Sequence, residues 1–141
     1  MMSNIIKQLS IFVNNEPGRL AHISSVLKEC NINMRAFNLA ESTEFGILRT
    51  IVDNPDEAYD ALKLKGIIVK KTDVIGVYLE DHPGALFMAA DALGKANINI
   101  EYGYAYSYKD KAIFFIRVDD PVKAVDVIGK QGIKLVSDSE I

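Results

Sequence analysis

The chain has 141 residues, 49% of them hydrophobic and 25% charged, enough for one ordinary domain or two small ones. A net charge of −3, a pI of about 5.4 and the lack of any Lys/Arg cluster argue against a nucleic-acid partner. No apolar run is long enough to span a bilayer, so no membrane association is predicted, and Met1 to Lys7 lacks the pattern of a signal peptide. Cys30 is alone, which excludes an internal disulfide and fits a reducing, cytoplasmic setting. Its place on an apolar helix stripe reads as a buried structural thiol.

In chain order, Gln8 to Val13 reads as a strand with Leu9, Ile11 and Val13 on one face. The stretch Asn14-Asn15-Glu16-Pro17-Gly18-Arg19-Leu20 joins it to a helix predicted from Pro17 to Cys30, with Leu20, Ile23, Leu27 and Cys30 at helical spacing. Proline suits a first helical turn, where its missing N–H is not needed. Glycine leaves no Cβ between the backbone and an approaching group. Such a junction can cradle an anion or carboxylate, and it is equally an ordinary tight connection. Asn31 is a helix stop, Ile32 to Glu41 a second strand, Ser42 to Glu44 a turn and Phe45 to Asp53 a third strand. Asn54 caps a second helix, with Pro55 at its first position and Asp56 and Glu57 at its positive end. Gly66 ends that helix, and Ile67 to Lys71 forms the last strand.

The whole pattern then recurs. Glu80-Asp81-His82-Pro83-Gly84-Ala85-Leu86 repeats the first turn, and subtracting 17 from 83 gives an offset of 66. The same offset aligns Asn31-Ile32-Asn33 with Asn97-Ile98-Asn99, Pro55 with Pro121, and Gly66-Ile67 with Gly132-Ile133. Chance does not produce an ordered series of this kind, so the chain is two copies of one unit, 1–73 and 74–141. The second copy reads as strand Val74 to Glu80, helix Pro83 to Ala96, strand Ile98 to Ser107 and strand Lys111 to Asp119. Helix Pro121 to Lys130, capped by Asp120, and strand Ile133 to Ser137 complete it. Only Thr72 and Asp73 separate the copies, which leaves no flexible linker.

A βαββαβ order predicts an α+β fold: two tandem ferredoxin-like modules, each a four-stranded antiparallel sheet with two helices on one face. The third strands are apolar on both faces, through Phe114, Ile116 and Val118 against Ile113 and Phe115, and Leu48 and Val52 against Ile47 and Ile51. The second face or a strand edge should therefore be buried against another module, which points to side-by-side modules and a homodimer. Phe87, Met88, Ala92, Val122 and Val125 lie off the expected core stripes, so the second copy should make the larger contact with a neighbour.

Polar-x-Pro-Gly-x-Leu opening the first helix and Asn-Ile-Asn opening the second strand, twice in register, resemble ACT domains, the small-molecule-sensing modules of amino-acid metabolism. The resemblance covers essentially the whole chain. It implies a free-standing regulatory pair that binds an amino acid or related effector where two modules meet, between the turn of one and the second strand of the other. Carried over by motif, the contacts would be Asn15, Pro17, Gly18, Arg19 and Leu20 with Ile32 and Asn33. In the second copy they would be Asp81, His82, Pro83, Gly84, Ala85 and Leu86 with Ile98 and Asn99. Asn15 stands where an Asp is commonest in the family, whereas the second copy has Asp81, so the two sites need not share a ligand.

The chemistry agrees. N–H groups at a helix start favour a carboxylate, Asp81 can take an ammonium, and an Asn amide such as Asn33 or Asn99 both donates and accepts. About nine ligand heavy atoms at ~0.6 kcal/mol each would give ~5 kcal/mol, near or below millimolar affinity. The asparagines have an alternative role in backbone capping. Tyr102, Tyr104 and Tyr106 place three phenols on one strand face, with Gly103 and Ala105 on the other; the stripe reads as interface, with Tyr104 at a pocket rim. His22, His82 and Cys30 form no metal spacing, and no catalytic or cofactor motif is visible. The favoured expectation is a non-catalytic effector-binding regulator. The alternative is a ligand-free interaction module acting on a partner enzyme or transcription factor. A small ferredoxin-like enzyme or RNA binder is disfavoured by the acidic charge and the missing acid–base set.

Overall fold

The computed structural model describes residues 3–41, 45–108 and 110–141; the expected turn at Ser42 to Glu44 lies outside them. The chain divides into two compact units, Lys7–Thr72 and Asp73–Glu140, the second also holding the opening segment through Ile6. Each unit is an α+β module of the ferredoxin-like kind.

In the first module, β1 (Ile6–Asn14) pairs antiparallel with β3 (Phe45–Val52), and β3 pairs with β2 (Met34–Glu41). Two helices, α1 (Arg19–Glu29) and α2 (Pro55–Leu64), cover one sheet face. Leu9, Ile11, Val13, Leu48 and Val52 from the strands meet Ile23, Val26 and Leu27 of α1 and Ala58 and Leu62 of α2. The apolar stripe of α1 therefore runs through Ile23, Val26, Leu27 and Cys30. Leu20, expected on it, is instead exposed in the first turn. The far side of β1 receives the chain as it leaves α2, with the Phe12 N–H donating to the Ile68 carbonyl at 2.9 Å.

The second module repeats this with β4 (Val69–Glu80), β6 (Lys111–Val118) and β5 (Ile100–Tyr108), under α3 (Ala85–Lys95) and α4 (Pro121–Lys130). Its core joins Ile75, Val77, Ile116 and Val118 to Ala89, Leu93, Ala124 and Ile128. Ala92 and Val125, expected off the core stripes, pack partly against this core. Phe87, Met88 and Val122 are exposed as expected, at 67%, 54% and 75%. The third strands are covered in part on their second face too: Phe115 and Ile51 are almost fully buried although they point away from the helix-facing core, while Phe45 is exposed and Ile47 half-buried.

Three expectations are corrected. Thr72 and Asp73 do not separate two strands, because β4 runs unbroken through them. The expected strand Ile133 to Ser137 is a single antiparallel bridge between Val77 and Leu135, flanked by bonds from Tyr78 N–H to Lys134 and from Val136 N–H to Gly76. It gives way to a short 3-10 helix, Asp138–Glu140, which is tied to the opening segment by reciprocal bonds between Ser3 and Asp138 at 2.9 and 2.7 Å. The second strands begin at Met34 and Ile100, two residues later than the pattern suggested, since Ile32 and Ile98 are held back against the preceding helix.

That restraint is one motif used four times. Asn31, Gly66, Asn97 and Gly132 follow the four helices with φ of 56°, 76°, 59° and 73°, in the left-handed region. In each case this residue's N–H bonds three residues back, and the next N–H bonds five residues back, as in Ile98 to Leu93 at 2.9 Å. The next residue is always isoleucine: Ile32, Ile67, Ile98 and Ile133. Asn31 and Asn97 are thus backbone stops. Asn97→Ala should lower the unfolding free energy in urea by about 1 kcal/mol, whereas Asn97→Gly should change it by no more than a few tenths. Equal losses in both variants would mean that the carboxamide, and not φ, holds the turn.

Candidate functional site

The duplicated turns do not begin their helices with proline. Pro17 and Pro83 lie in the turn, and Gly18 and Gly84 occupy the N-cap with φ of 85° and 91°. The helices expected from Pro17 and Pro83 therefore start at Arg19 and Ala85. A Cβ on either glycine would meet nothing within 4 Å, so within the chain the demand for glycine comes from φ and not from crowding.

The N-caps fall into two kinds. Asn54 and Asp120 have extended backbones, and their side chains accept from Glu57 and Lys123 N–H at 3.4 and 3.1 Å. Gly18 and Gly84 offer no side chain, and no acidic residue stands in the first turns of α1 and α3. Arg19 N–H reaches the Glu16 carbonyl and Ala85 N–H that of His82, while Leu20, Ala21, Leu86 and Phe87 N–H find no acceptor among the described residues. Two of four helix starts are left open to an anion, and they are the two that the duplicated turn creates.

A cavity adjoins each open start. In the second module it has a volume of about 290 Å³ and is walled by Tyr78, Leu79, Glu80, His82, Ala85, Met88, Lys111 and the segment Gln131, Gly132, Ile133 and Lys134. In the first it is about 130 Å³, between Phe12, Val13, Asn14, Arg19, His22, Ile23 and the segment Gly66, Ile67 and Ile68. The walls correspond at the offset of 66: Tyr78 with Phe12, Glu80 with Asn14, Met88 with His22 and Lys134 with Ile68. The recurrence makes this a built feature of the fold.

Of the residues expected at the site, Arg19, His82 and Ala85 line these cavities. Arg19 Nε sits 3.3 Å from Glu16, and His82 holds Glu80 at 3.4 Å through Nε2 and the Pro83 carbonyl at 3.0 Å through Nδ1. Asn15, Pro17, Gly18, Asp81, Pro83 and Gly84 form the exposed turns beside them, and Leu20 and Leu86 project from the first helical turns. Ile32 and Ile98 are core residues. Asn33 and Asn99 carry exposed side chains, and each bonds the end of the third strand in both directions: N–H to Asp53 or Asp119 Oδ1, carbonyl from the same residue's N–H. Ile32 and Asn33 line a separate cavity of about 360 Å³ with Lys28 and Phe37.

Turn and asparagine lie at opposite ends of an 11-residue helix, about 16 Å apart, so one module does not bring them together. Tyr104 is buried on the sheet face away from the helix-facing core, 5.9 Å from the Phe115 ring. Tyr78, Lys111 and the segments after α2 and α4 were not singled out from sequence, although Gly66 and Gly132 recur at the module offset and mark where those segments turn. Among the described residues no group of three or more His, Cys, Asp or Glu could hold a metal, and no helix is long and apolar enough to cross a membrane.

The sequence pattern of the ACT domain pair matches residues 4–141. The chain belongs to the ACT family. A structure of a protein from Bacteroides thetaiotaomicron is similar to this ACT pair with a TM-score of 0.93 at 39% identity, over 96% of this chain and 94% of that one. The ligand-free regulatory subunit of aspartate kinase from Thermus thermophilus follows with a TM-score of 0.61 at 18% identity, over 93% and 97%. Its counterpart from Thermus flavus gives 0.63 at 15%, over 93% and 95%; at such identities the likeness shows the fold. No curated protein matches the chain.

One further contact borders the second cavity of this ACT pair. The Tyr78 hydroxyl donates to Glu140 Oε2 at 2.6 Å, and Ser137 N–H donates to Oε1 at 2.9 Å. The phenol bond first, then the backbone N–H and the charge of Lys134, hold the Glu140 carboxyl below its ordinary value of 4.5. A depressed folded value means that the contact stabilises the fold above the ordinary value and is lost as pH falls through the folded one. An NMR titration should place the Glu140 midpoint below 4.5, with Tyr78→Phe moving it upward. A midpoint at the ordinary value in both proteins would show that the contact does not form in solution.

Proposed function

We propose that this ACT pair is a non-catalytic regulatory protein that binds a small effector, an amino acid, at its Pro-Gly turns. The observation that carries the reading is the pairing of an uncapped helix start with a cavity, built twice at one offset, while the other two helices keep side-chain caps. An amino acid supplies what that arrangement lacks: a carboxylate for the open N–H groups. Its ammonium has Asp81 or Glu80 in the second module and the Asn14 and Asn15 carbonyls in the first. The fold is one that regulatory subunits of aspartate kinase use, which supports regulation over catalysis.

Because turn and asparagine lie at opposite ends of the first helix, a site that uses both takes its Asn33 or Asn99 from another module. A second copy of the chain supplies one, and we extend the proposal to a homodimer. The lone Cys30 suits a reducing compartment, and cytoplasmic residence is part of the same reading.

A second reading is favoured by one observation. Leu86, Phe87, Met88 and Val122 expose large apolar groups on α3 and α4, a surface suited to a partner enzyme or regulator without any effector. Calorimetric titration of the full chain with the twenty amino acids separates the two. Effector binding predicts saturable heat for at least one at millimolar or lower concentration. Silence towards all twenty favours the interaction module. Asp81→Ala should weaken a positive response at least about fivefold, the loss of one charge-assisted bond, without lowering the melting temperature.

A further inference from the structure

The two turn cavities share a backbone frame but differ on their walls, and one group of differences changes an apolar patch into a cationic one. In the first module Phe12 stacks on Phe45 with ring centroids 4.6 Å apart, and Ile68, on the same cavity wall as Phe12, is 71% exposed. At the corresponding positions the second module has Tyr78, Lys111 and Lys134. The two ammonium groups lie 5.9 and 4.9 Å from the Tyr78 ring centroid. An apolar trio has become a lysine–tyrosine–lysine trio on the wall of a cavity.

Neither lysine has an ion-pair partner among the described residues. The carboxylates close by are engaged elsewhere. Glu140 is bonded by the Tyr78 hydroxyl and Ser137 N–H and feels Lys134 only through space, and Glu80 stands 3.4 Å from the His82 ring. Two like charges over one ring repel each other, and the ring's negative face is a weak partner for a pair of cations. An anion in the cavity that both wall supplies the charge they lack.

We propose that the second-module cavity selects an effector whose side chain ends in a carboxylate, an acidic amino acid, with that carboxylate taken by the ammonium groups of Lys111 and Lys134 on the cavity wall. The inference rests on the effector-binding reading above and names the ligand class for one of its two sites. The cavity, about 290 Å³, is at the small end of ligand pockets and suits a metabolite of this size. The α-carboxylate is left for the open start of α3, and the ammonium for Asp81. The first-module cavity rejects the same ligand, because its side-chain carboxylate would lose water against Phe12 and Ile68, and Arg19 is already paired with Glu16.

The test is calorimetric titration of the full chain with L-glutamate and L-aspartate, against L-glutamine, L-asparagine and L-leucine. It is run on the native protein and on a Lys111→Gln/Lys134→Gln double variant. Both lysines are exposed, so the variant should keep its melting temperature. At least one acid should bind ten times or more tightly than its amide, the double substitution should remove that preference, and added salt should weaken the acid more than the amide. Equal affinity for acid and amide, or an acid preference that survives the double substitution, overturns the proposal. Binding of L-leucine or an amide alone overturns it while leaving the effector reading intact. Silence towards all five overturns it, and silence towards the other fifteen as well overturns the effector reading.

Discussion

The left-handed backbone at Gly18 and Gly84 lets the chain leave a strand and enter a helix without placing a side chain over the helix's first N–H groups. A Ser, Asp or Asn cap needs an extended backbone at that position, which Asn54 and Asp120 have at φ of −142° and −139°. A cap of that kind stabilises a helix by about 1 kcal/mol. The two turns forgo it, and the cores beneath α1 and α3 hold those helices without it, through Ile23, Val26 and Leu27 in one and Ala89 and Leu93 in the other. The open helix start follows from that one backbone choice, and it lies beside the cavity and the exposed Leu20 or Leu86.

The opposite ends of the same helices are closed by a related device. Where a helix must stop and the chain must turn back onto the core, a left-handed residue followed by isoleucine satisfies the last carbonyls and buries the isoleucine at least in part. Glycine does this after α2 and α4, beside the turn cavities. Asparagine does it after α1 and α3, where the next residue but one, Asn33 or Asn99, knots the second strand to the third through Asp53 or Asp119. The Asn-Ile-Asn signature is first of all a structural knot. Its three N–H groups and the carbonyl of its second asparagine are all bonded, and it still offers exposed carboxamides such as those of Asn33 and Asn99.

Much of this was legible in the sequence for identifiable reasons. Alternation placed Leu9, Ile11 and Val13 on the core face, and Asn54-Pro55 and Asp120-Pro121 marked capped helix starts because cap chemistry is local. The offset of 66 made both modules visible at once. Helix starts at Pro17 and Pro83 were misplaced because proline fits a turn before an N-cap as readily as a first helical position, and only φ at the following glycine tells them apart. The last strand was overextended because Ile133 and Leu135 alternate as a strand does, while its pairing depends on the edge of β4. The site was legible at the turn and silent at Tyr78, Lys111 and Lys134, which lie far apart in sequence and gain meaning only when β4, β6 and the segment after α4 converge.

Duplication explains how that convergence could arise without disturbing the fold. Backbone features that define the module are the same in both copies: the αL glycine, the knot at Asp53 or Asp119, the αL exit before each isoleucine. Core differences such as Leu9 and Ile75 or Leu62 and Ile128 exchange one apolar side chain for another, while three of the positions that differ, Phe12 and Tyr78, Phe45 and Lys111, Ile68 and Lys134, contribute to cavity walls or strand ends and to neither helix-facing core cluster. A change there alters what a cavity prefers at little cost to packing, whereas a change at Gly84 or Asn97 alters whether the module forms. Specificity and stability therefore reside in separable residue sets, and a module copied once can keep the second set while the first drifts toward a different ligand.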